Sequence, residues 1–249
     1  MVTRAKQAPK RSLPLARVVR REDLTDDLWV MWLEPEIPFR FKPGQYCTIG
    51  LSGIERAYSI VSAPSEPNLE LFIELVPRAA GGELTPLLYE LRAGDTVTIR
   101  PSAKGIFNLT PSYHQHLMVS TVTGIVPYVS IIRDYLHRGG EGHRFYLLHG
   151  ASYQDEFGYD VEMCRLAEEN PETVSFVRTV SRPQDKRNDG WDGETGRVNN
   201  VVGKYIEQFE LDPASTLIYA CGHPGMIESI KEQFEPLGWK ITEERFWKQ

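Results

Sequence analysis

Cysteine is scarce in this sequence, with three in 249 residues. Cys47, Cys164 and Cys221 lie far apart and form no Cys-x-x-Cys pair. Disulfide scaffolds and zinc sites depend on paired or closely spaced thiols, often together with histidine. Since His114 and His116 have no neighbouring ligand partners either, the sequence argues against a disulfide framework, a metal site and a built-in iron–sulfur cluster.

Long apolar runs and an excess of positive charge are also missing. No segment approaches the roughly 18 consecutive apolar residues typical of a membrane span, and the basic residues 1–10 precede no apolar stretch of a signal peptide. The net charge is −6, whereas nucleic-acid-binding domains usually present a basic surface. We therefore expect a cytoplasmic protein with a flexible tail at residues 1–14 and with small molecules or proteins as partners.

The rest of the chain divides into two patterns, and its 41% of hydrophobic residues suffices for two ordinary domains. Residues 15–110 contain short β-branched or aromatic runs separated by Pro and Gly, which predict an antiparallel β-barrel. In residues 111–249, strand-like runs at 116–121, 145–150, 174–180 and 216–220 alternate with helical segments. That alternation predicts a Rossmann-like, doubly wound parallel sheet of about five strands.

The segment Arg56-Ala57-Tyr58-Ser59 carries the first chemical signal. In an extended strand, Arg56 and Tyr58 share one face, and Ala57 and Ser59 share the other. A guanidinium beside an aromatic ring suits a ligand with a phosphate at one end and a flat ring at the other, because Arg binds phosphate oxygens and Tyr stacks on π surfaces. The alternative interpretation is a surface arginine beside a half-buried barrel tyrosine.

A glycine-rich loop at residues 78–88 leads into a predicted short helix. Free N–H groups at a helix start favour an anion, and glycine allows its close approach. Gly82, Leu84 and Thr85 are therefore candidates to hold a pyrophosphate whose other side meets Arg56. An ordinary capped crossover helix is the alternative interpretation.

Three further segments follow predicted parallel strands, at the ends where such sheets bind ligands. The loop at residues 121–127 precedes a helix with Pro127 in its first turn. Ser181-Arg182 and Gly196-Arg197 can direct two guanidiniums at one phosphate, although neighbouring Asp and Glu residues also fit a solvated loop edge. Residues 221–226 run from a strand into a helix start, where a buried small cysteine is the plain alternative.

In family order and spacing, these segments resemble the ferredoxin-NADP reductase superfamily over nearly the whole chain. In that family, Arg-x-Tyr-Ser binds FAD with Ser near flavin N5, and Gly-x-Leu-Ser/Thr lies at the same distance after it as here. A Thr-Gly-Thr-Gly-Ile/Leu-Ala-Pro loop carries the nucleotide pyrophosphate, and Ser/Thr-Arg with Gly-Arg recognises the 2′-phosphate of NADP. Cys-Gly-x-Pro-x-Met brings its Cys near the nicotinamide C4 atom. This chain departs from the loop at Val122 and Val126, which replace Gly and Ala.

The resemblance implies three sets of site residues. The catalytic residues would be Ser59, Cys221 and Glu244. The FAD-binding residues would be Arg56, Ala57, Tyr58, Ser59, Gly82, Leu84 and Thr85, with Phe246 or Trp247 covering the flavin. The NADP(H)-binding residues would be Thr121, Thr123, Gly124, Ser181, Arg182, Arg197, Gly222, Pro224 and Met226.

The resemblance also implies an activity: hydride transfer between NADP(H) and FAD, and transfer of single electrons to or from ferredoxin or flavodoxin. One alternative is a reductase component of an oxygenase or another multicomponent system. Another is a flavin-binding electron-transfer subunit without nicotinamide activity. Val122 favours the last of these, because a β-branched residue is costly wherever the backbone needs a positive φ.

Overall fold

The computed structural model describes residues 12–245, which contain two six-stranded sheets. The predicted flavin-covering residues Phe246 and Trp247 lie outside the described residues. The first sheet is antiparallel in the order β4-β3-β6-β1-β2-β5. Its strands are β1 (Leu15–Asp23), β2 (Leu28–Pro35), β3 (Tyr46–Leu51), β4 (Ile54–Ser59), β5 (Leu69–Glu74) and β6 (Thr96–Ile99).

The two edges of this sheet, β4 and β5, leave the predicted barrel open between them, since no ladder of the described residues joins them. Just after β4 the chain crosses towards β5. The Ile60 N–H donates to the Gln45 carbonyl oxygen at 3.0 Å, and the Val61 N–H donates to the Glu70 carbonyl oxygen at 2.9 Å. The gap is therefore bridged where Val61 lies, and it is flanked by the glycine loop and the short helix α1 (Thr85–Tyr89).

The second sheet is parallel, in the order β10-β9-β8-β7-β11-β12. Its strands are β7 (Gln115–Thr121), β8 (Arg144–Ala151), β9 (Val174–Val180), β10 (Glu194–Thr195), β11 (Thr216–Gly222) and β12 (Lys240–Arg245). The predicted number of about five is close, but neither the two-residue β10 nor β12 was predicted as a strand. The residues of β12 are mostly polar because it is an edge strand, which buries little of its surface.

Four helices connect the parallel strands: α2 (Val126–His137), α3 (Asp160–Glu169), α4 (Val198–Gln208) and α5 (Pro224–Phe234). Pro127 and Pro224 occupy the first turns of α2 and α5, where the missing N–H of proline costs nothing. None of the described helices combines the length and apolarity needed to cross a bilayer.

One hydrophobic core extends across both sheets. It joins Val61 and Phe72 of the antiparallel part to Met118 and Tyr128 of the parallel part. Between them, the Phe107 ring centroid lies 5.9 Å from that of Tyr128. Because this core is continuous, it sets the position of one sheet relative to the other and thereby shapes the cavities between them.

Candidate functional site

A cavity of about 460 Å³ opens at the gap between β4 and β5. Alternation along a strand puts only Arg56 and Tyr58 on one face, yet Ala57 and Ser59 line the cavity as well. All four residues reach it because β4 is an edge strand and the cavity lies along that edge. The remaining wall is largely apolar and includes Phe72, Ile73, Val76, Leu84 and Val126.

The glycine loop forms one end of this first cavity. A Cβ atom on Gly82 would lie 1.7 Å from the Val76 carbonyl oxygen, so any side chain there would displace the loop. The Thr85 hydroxyl accepts from the Val76 N–H at 3.0 Å and donates to the Val76 carbonyl oxygen at 3.1 Å. The bond to the Val76 carbonyl oxygen uses the single proton of the Thr85 hydroxyl, so this side chain anchors the loop and has no proton left for an anion. An anion bound here would accept hydrogen bonds from backbone N–H groups instead.

Arg56 reaches the same end of the cavity. Its guanidinium donates to the Glu55 carbonyl oxygen at 2.8 Å and forms an ion pair with Glu83. Both partners of that pair are more than half exposed, and exposed pairs contribute about 0–1 kcal/mol. A phosphate can therefore take the place of Glu83 at small cost.

The three predicted catalytic residues are joined through Glu244, and of the three only Ser59 lines the first cavity. The Ser59 hydroxyl donates to Glu244 Oε2 at 3.2 Å, and Glu244 is the ladder partner of Cys221 between β12 and β11. Burial raises the pKa of Glu244 to about 7, while the hydrogen bond from Ser59 opposes that rise. The Glu244 carboxyl can therefore hold or release a proton near neutral pH.

Cys221 has no exposed surface. Burial, together with the neighbouring Glu244 carboxylate, raises the pKa of its thiol. A thiol nucleophile must ionise, so Cys221 acts here as a small neutral group.

A second cavity, of about 570 Å³, lies at the carboxyl ends of the parallel strands and against the starts of α4 and α5. Six predicted nucleotide-binding residues line it: Thr121, Thr123, Ser181, Arg182, Arg197 and Met226. Gly124, Gly222 and Pro224 do not line it. A Cβ atom on Gly124 would lie 2.3 Å from the Cys221 carbonyl oxygen, so this glycine lets the loop pack directly on the end of β11.

A single 3-10 turn, Val122–Ile125, follows β7 directly. Val122 adopts a φ of +42°, in the left-handed region where β-branched residues are strained. The loop has thus kept a backbone conformation that glycine would favour, although the sequence supplies valine. His149 Nε2 lies 2.9 Å from the Val122 carbonyl oxygen and holds the turn from beneath.

Two arginines extend over the outer part of the second cavity. Arg182 donates to the Tyr153 hydroxyl, whereas neither Arg182 nor Arg197 forms an ion pair with a carboxylate of the described residues. Arg187 lies 3.7 Å from the centre of the Tyr153 ring and is bound to Asp155. The two guanidiniums that line the cavity therefore remain able to bind an anion.

Glu74 and Thr123 line both cavities, so they mark where two bound molecules would meet. Thr123 was predicted and Glu74 was not. Burial, reinforced by the Asp27 and Glu156 carboxylates, raises the pKa of Glu74. The sequence signal was a carboxylate ending the apolar run of β5, and only the packing of the sheets shows that it faces a cavity.

Known proteins resemble this chain in sequence and in fold. Residues 118–232 match the model of the oxidoreductase NAD-binding domain family. The chain is 30% identical over 230 residues to a flavodoxin/ferredoxin–NADP reductase of Buchnera aphidicola subsp. Schizaphis graminum, covering 86% of each chain. It is 29% identical to the Escherichia coli (strain K12) protein of that name, covering 86% of this chain and 87% of the other.

A solved structure is similar over nearly the full length. It is a ferredoxin NADP+ reductase from Neisseria gonorrhoeae with bound FAD and NADP. The TM-score is 0.81 at 24% identity, with 96% of this chain and 100% of the other chain covered. The two sheets and their arrangement are therefore those of a known fold.

Proposed function

Because the chain belongs to the ferredoxin-NADP reductase superfamily, we propose that it is a flavoenzyme that transfers electrons between NADP(H) and a small protein carrier such as ferredoxin or flavodoxin. The observation that carries this proposal is the meeting of two cavities at Glu74 and Thr123. One cavity has an aromatic and apolar wall with a cation at its end, and the other has two arginines at its outer rim. Two ligands bound there would face each other at the centre.

The first cavity fits FAD by the chemistry of its donors. Arg56 and the N–H groups of the glycine loop would hold the two phosphates, and the Tyr58 ring would pack on the flat flavin. Ser59 is the last residue of β4, three positions after Arg56. When bound, FAD accepts a hydride from the nicotinamide and passes electrons on singly.

The second cavity fits NADP(H). Thr121 ends β7 and Thr123 lies in the turn after it, where they would position the pyrophosphate and the nicotinamide end. Arg182 and Arg197 would bind the 2′-phosphate with charge-assisted hydrogen bonds. The protein's contribution is then to hold two rings in contact and to keep water from between them.

At the centre, Ser59 and Glu244 would handle the proton. Because the pKa of Glu244 is about 7, its carboxyl can supply a proton to Ser59 Oγ or receive one at neutral pH. Cys221, small and neutral, would leave space for the nicotinamide beside this pair.

Substitution of Arg56 tests the flavin site. Arg56→Ala should weaken FAD binding by roughly tenfold to a hundredfold, because a hydrogen bond to a charged group contributes about 1.5–3 kcal/mol. Purified wild-type protein should be yellow and should bleach under anaerobic NADPH. The measurement is FAD release followed by absorbance during dialysis.

Glu83→Gln serves as the matched control for Arg56→Ala. It removes the competing carboxylate while leaving the guanidinium in place, so FAD should bind as tightly as in the wild type or more tightly. A colourless wild-type protein that neither FAD nor FMN can reconstitute would exclude the proposed function.

Substitution of Val122 tests the strained loop. A left-handed conformation costs an ordinary L-residue about 1–2 kcal/mol, and glycine avoids this cost but loses about 0.5–1 kcal/mol in chain entropy. Val122→Gly should therefore lower the KM for NADPH by a few-fold, with about 0.5–1 kcal/mol of added stability. Val122→Ala keeps a Cβ atom and should recover less of both. Destabilisation with unchanged binding would remove residues 121–127 from the proposed site.

A further inference from the structure

A buried histidine lies directly beneath the nucleotide loop. His149, near the end of β8, has no exposed surface, and its Nε2 atom lies 2.9 Å from the Val122 carbonyl oxygen. A carbonyl oxygen only accepts hydrogen bonds, so Nε2 must carry the proton. Nδ1 is buried without a hydrogen-bond partner among the described residues. The Val122 carbonyl is thus the polar contact that fixes the tautomer of this ring.

The surroundings of His149 keep it neutral. Its ring lies edge-on to Phe157 at 5.0 Å between centroids, and Phe176 lies 6.4 Å away. Burial lowers the pKa of His149 to about 4, against the opposing effect of the hydrogen bond to Val122. At physiological pH the ring is therefore a permanent donor of one hydrogen bond.

The bond from His149 is made to the one strained peptide of the loop. Val122 has a φ of +42°, and strained residues persist where surrounding contacts hold them in place. In a trans peptide the C=O and N–H groups point in opposite directions. Because the Val122 carbonyl points to His149, the N–H of Thr123 points away from His149.

Thr123 lines both cavities. As the second residue of the 3-10 turn, its N–H is one of the donors that a helix start leaves without a partner inside the helix. The orientation of a single peptide thus decides whether this donor faces the bound nucleotide.

We propose that His149 is a positioning residue for nucleotide binding, which holds the Val122 peptide in its left-handed turn so that the Thr123 N–H faces the cavity. This inference rests on the proposed function, because it names a determinant of affinity in the same site. His149 itself touches neither cavity. It acts through the Val122 carbonyl alone.

The experiment measures NADP+ affinity by difference absorbance of the flavoprotein, and the KM and kcat for NADPH. His149→Phe keeps an aromatic ring in an aromatic environment but loses the donor. It should weaken NADP+ binding by roughly tenfold, the equivalent of one lost buried hydrogen bond. KM should rise by more than kcat falls, while the flavin spectrum stays that of the wild type.

Two variants distinguish positioning from packing. His149→Gln places an amide N–H near the position of Nε2 and should recover most of the lost affinity, whereas His149→Asn is too short and should not. His116→Phe is the matched control, because His116 is equally buried but lies in the first half of β7, away from the cavities. Its nucleotide affinity should be that of the wild type.

A third arm tests the mechanism directly. Glycine adopts a left-handed turn without strain, so His149→Phe should cost less affinity in a Val122→Gly background than alone. Nitrogen NMR of the wild type should show the Nε2–H tautomer of His149 even if His149→Phe fails to fold. The Nδ1–H tautomer, or equal affinities for His149→Gln and His149→Asn, would overturn the proposal. Wild-type protein that binds FAD but not NADP+ would instead overturn the proposed function.

Discussion

Replacing Arg182 and Arg197 together by alanine should weaken NADPH binding by roughly a hundredfold to ten-thousandfold. Each charge-assisted hydrogen bond to the 2′-phosphate contributes about 1.5–3 kcal/mol, so two contribute about 3–6 kcal/mol. Both side chains are exposed, so salt will screen them and the loss should shrink at high ionic strength. The measurement is the KM for NADPH in each variant at two salt concentrations.

NADH is the internal control for this pair, since it lacks only the 2′-phosphate. Its KM and the flavin spectrum should change little in the double variant, the pattern of a lost binding contact. Arg187→Ala is the matched control variant, because Arg187 comes from the same loop but is bound to Asp155. An equal loss for both nucleotides would assign the two arginines a role in folding, and a wild type that uses NADH as well as NADPH would refute the NADP assignment.

Removing Arg133 should have the largest effect on stability. Arg133 of α2 donates to Glu70 of β5 at 2.8 Å and to both carboxylate oxygens of Glu162 of α3 at 2.7 Å. The Tyr159 hydroxyl also donates to Glu70 at 2.7 Å. Arg133→Ala leaves the Glu70 side chain, only 6% exposed, without its counter-charge. Breaking such a buried pair costs about 3–5 kcal/mol, which denaturant unfolding should detect.

Two further variants separate this effect from a general loss of charge. Arg165→Ala removes an exposed pair with Glu169 on α3, and its unfolding free energy should change by less than about 1 kcal/mol. Arg133→Met combined with Glu70→Gln removes both charges and leaves an amide oxygen to accept from Tyr159. It should recover much of the loss. Equal destabilisation by Arg133→Ala and Arg165→Ala would show that the buried network contributes no more to stability than an exposed ion pair.

Local sequence determined the type and order of most elements. Apolar runs of strand length between Pro and Gly predicted β2 to β6, and the alternation of strands and helices predicted the parallel sheet. These signals are local, because both the spacing of hydrophobic residues and the Pro and Gly residues of turns act on near neighbours in the chain. Motif spacing also placed Arg182 and Cys221 at the ends of parallel strands, where ligands bind.

Tertiary packing alone decided how the site is assembled. Ser59 and Glu244 are 185 positions apart and touch because β12 adds to the edge of the second sheet beside the first. The spacing of hydrophobic residues along the sequence indicates neither that contact nor the burial that raises the pKa of Glu244 to about 7. Glu74, at the end of the edge strand β5, likewise lines both cavities.

Val122 shows most directly what the sequence determines and what the tertiary structure decides. The sequence shows that a β-branched residue stands where a glycine would suit the loop, and its local preference is against a positive φ. The structure shows that the turn keeps its left-handed conformation, with His149 bound to the Val122 carbonyl from the neighbouring strand. Local propensity sets the free-energy cost of a backbone conformation. Contacts between residues distant in sequence decide whether that cost is offset, and those contacts exist only in the folded chain.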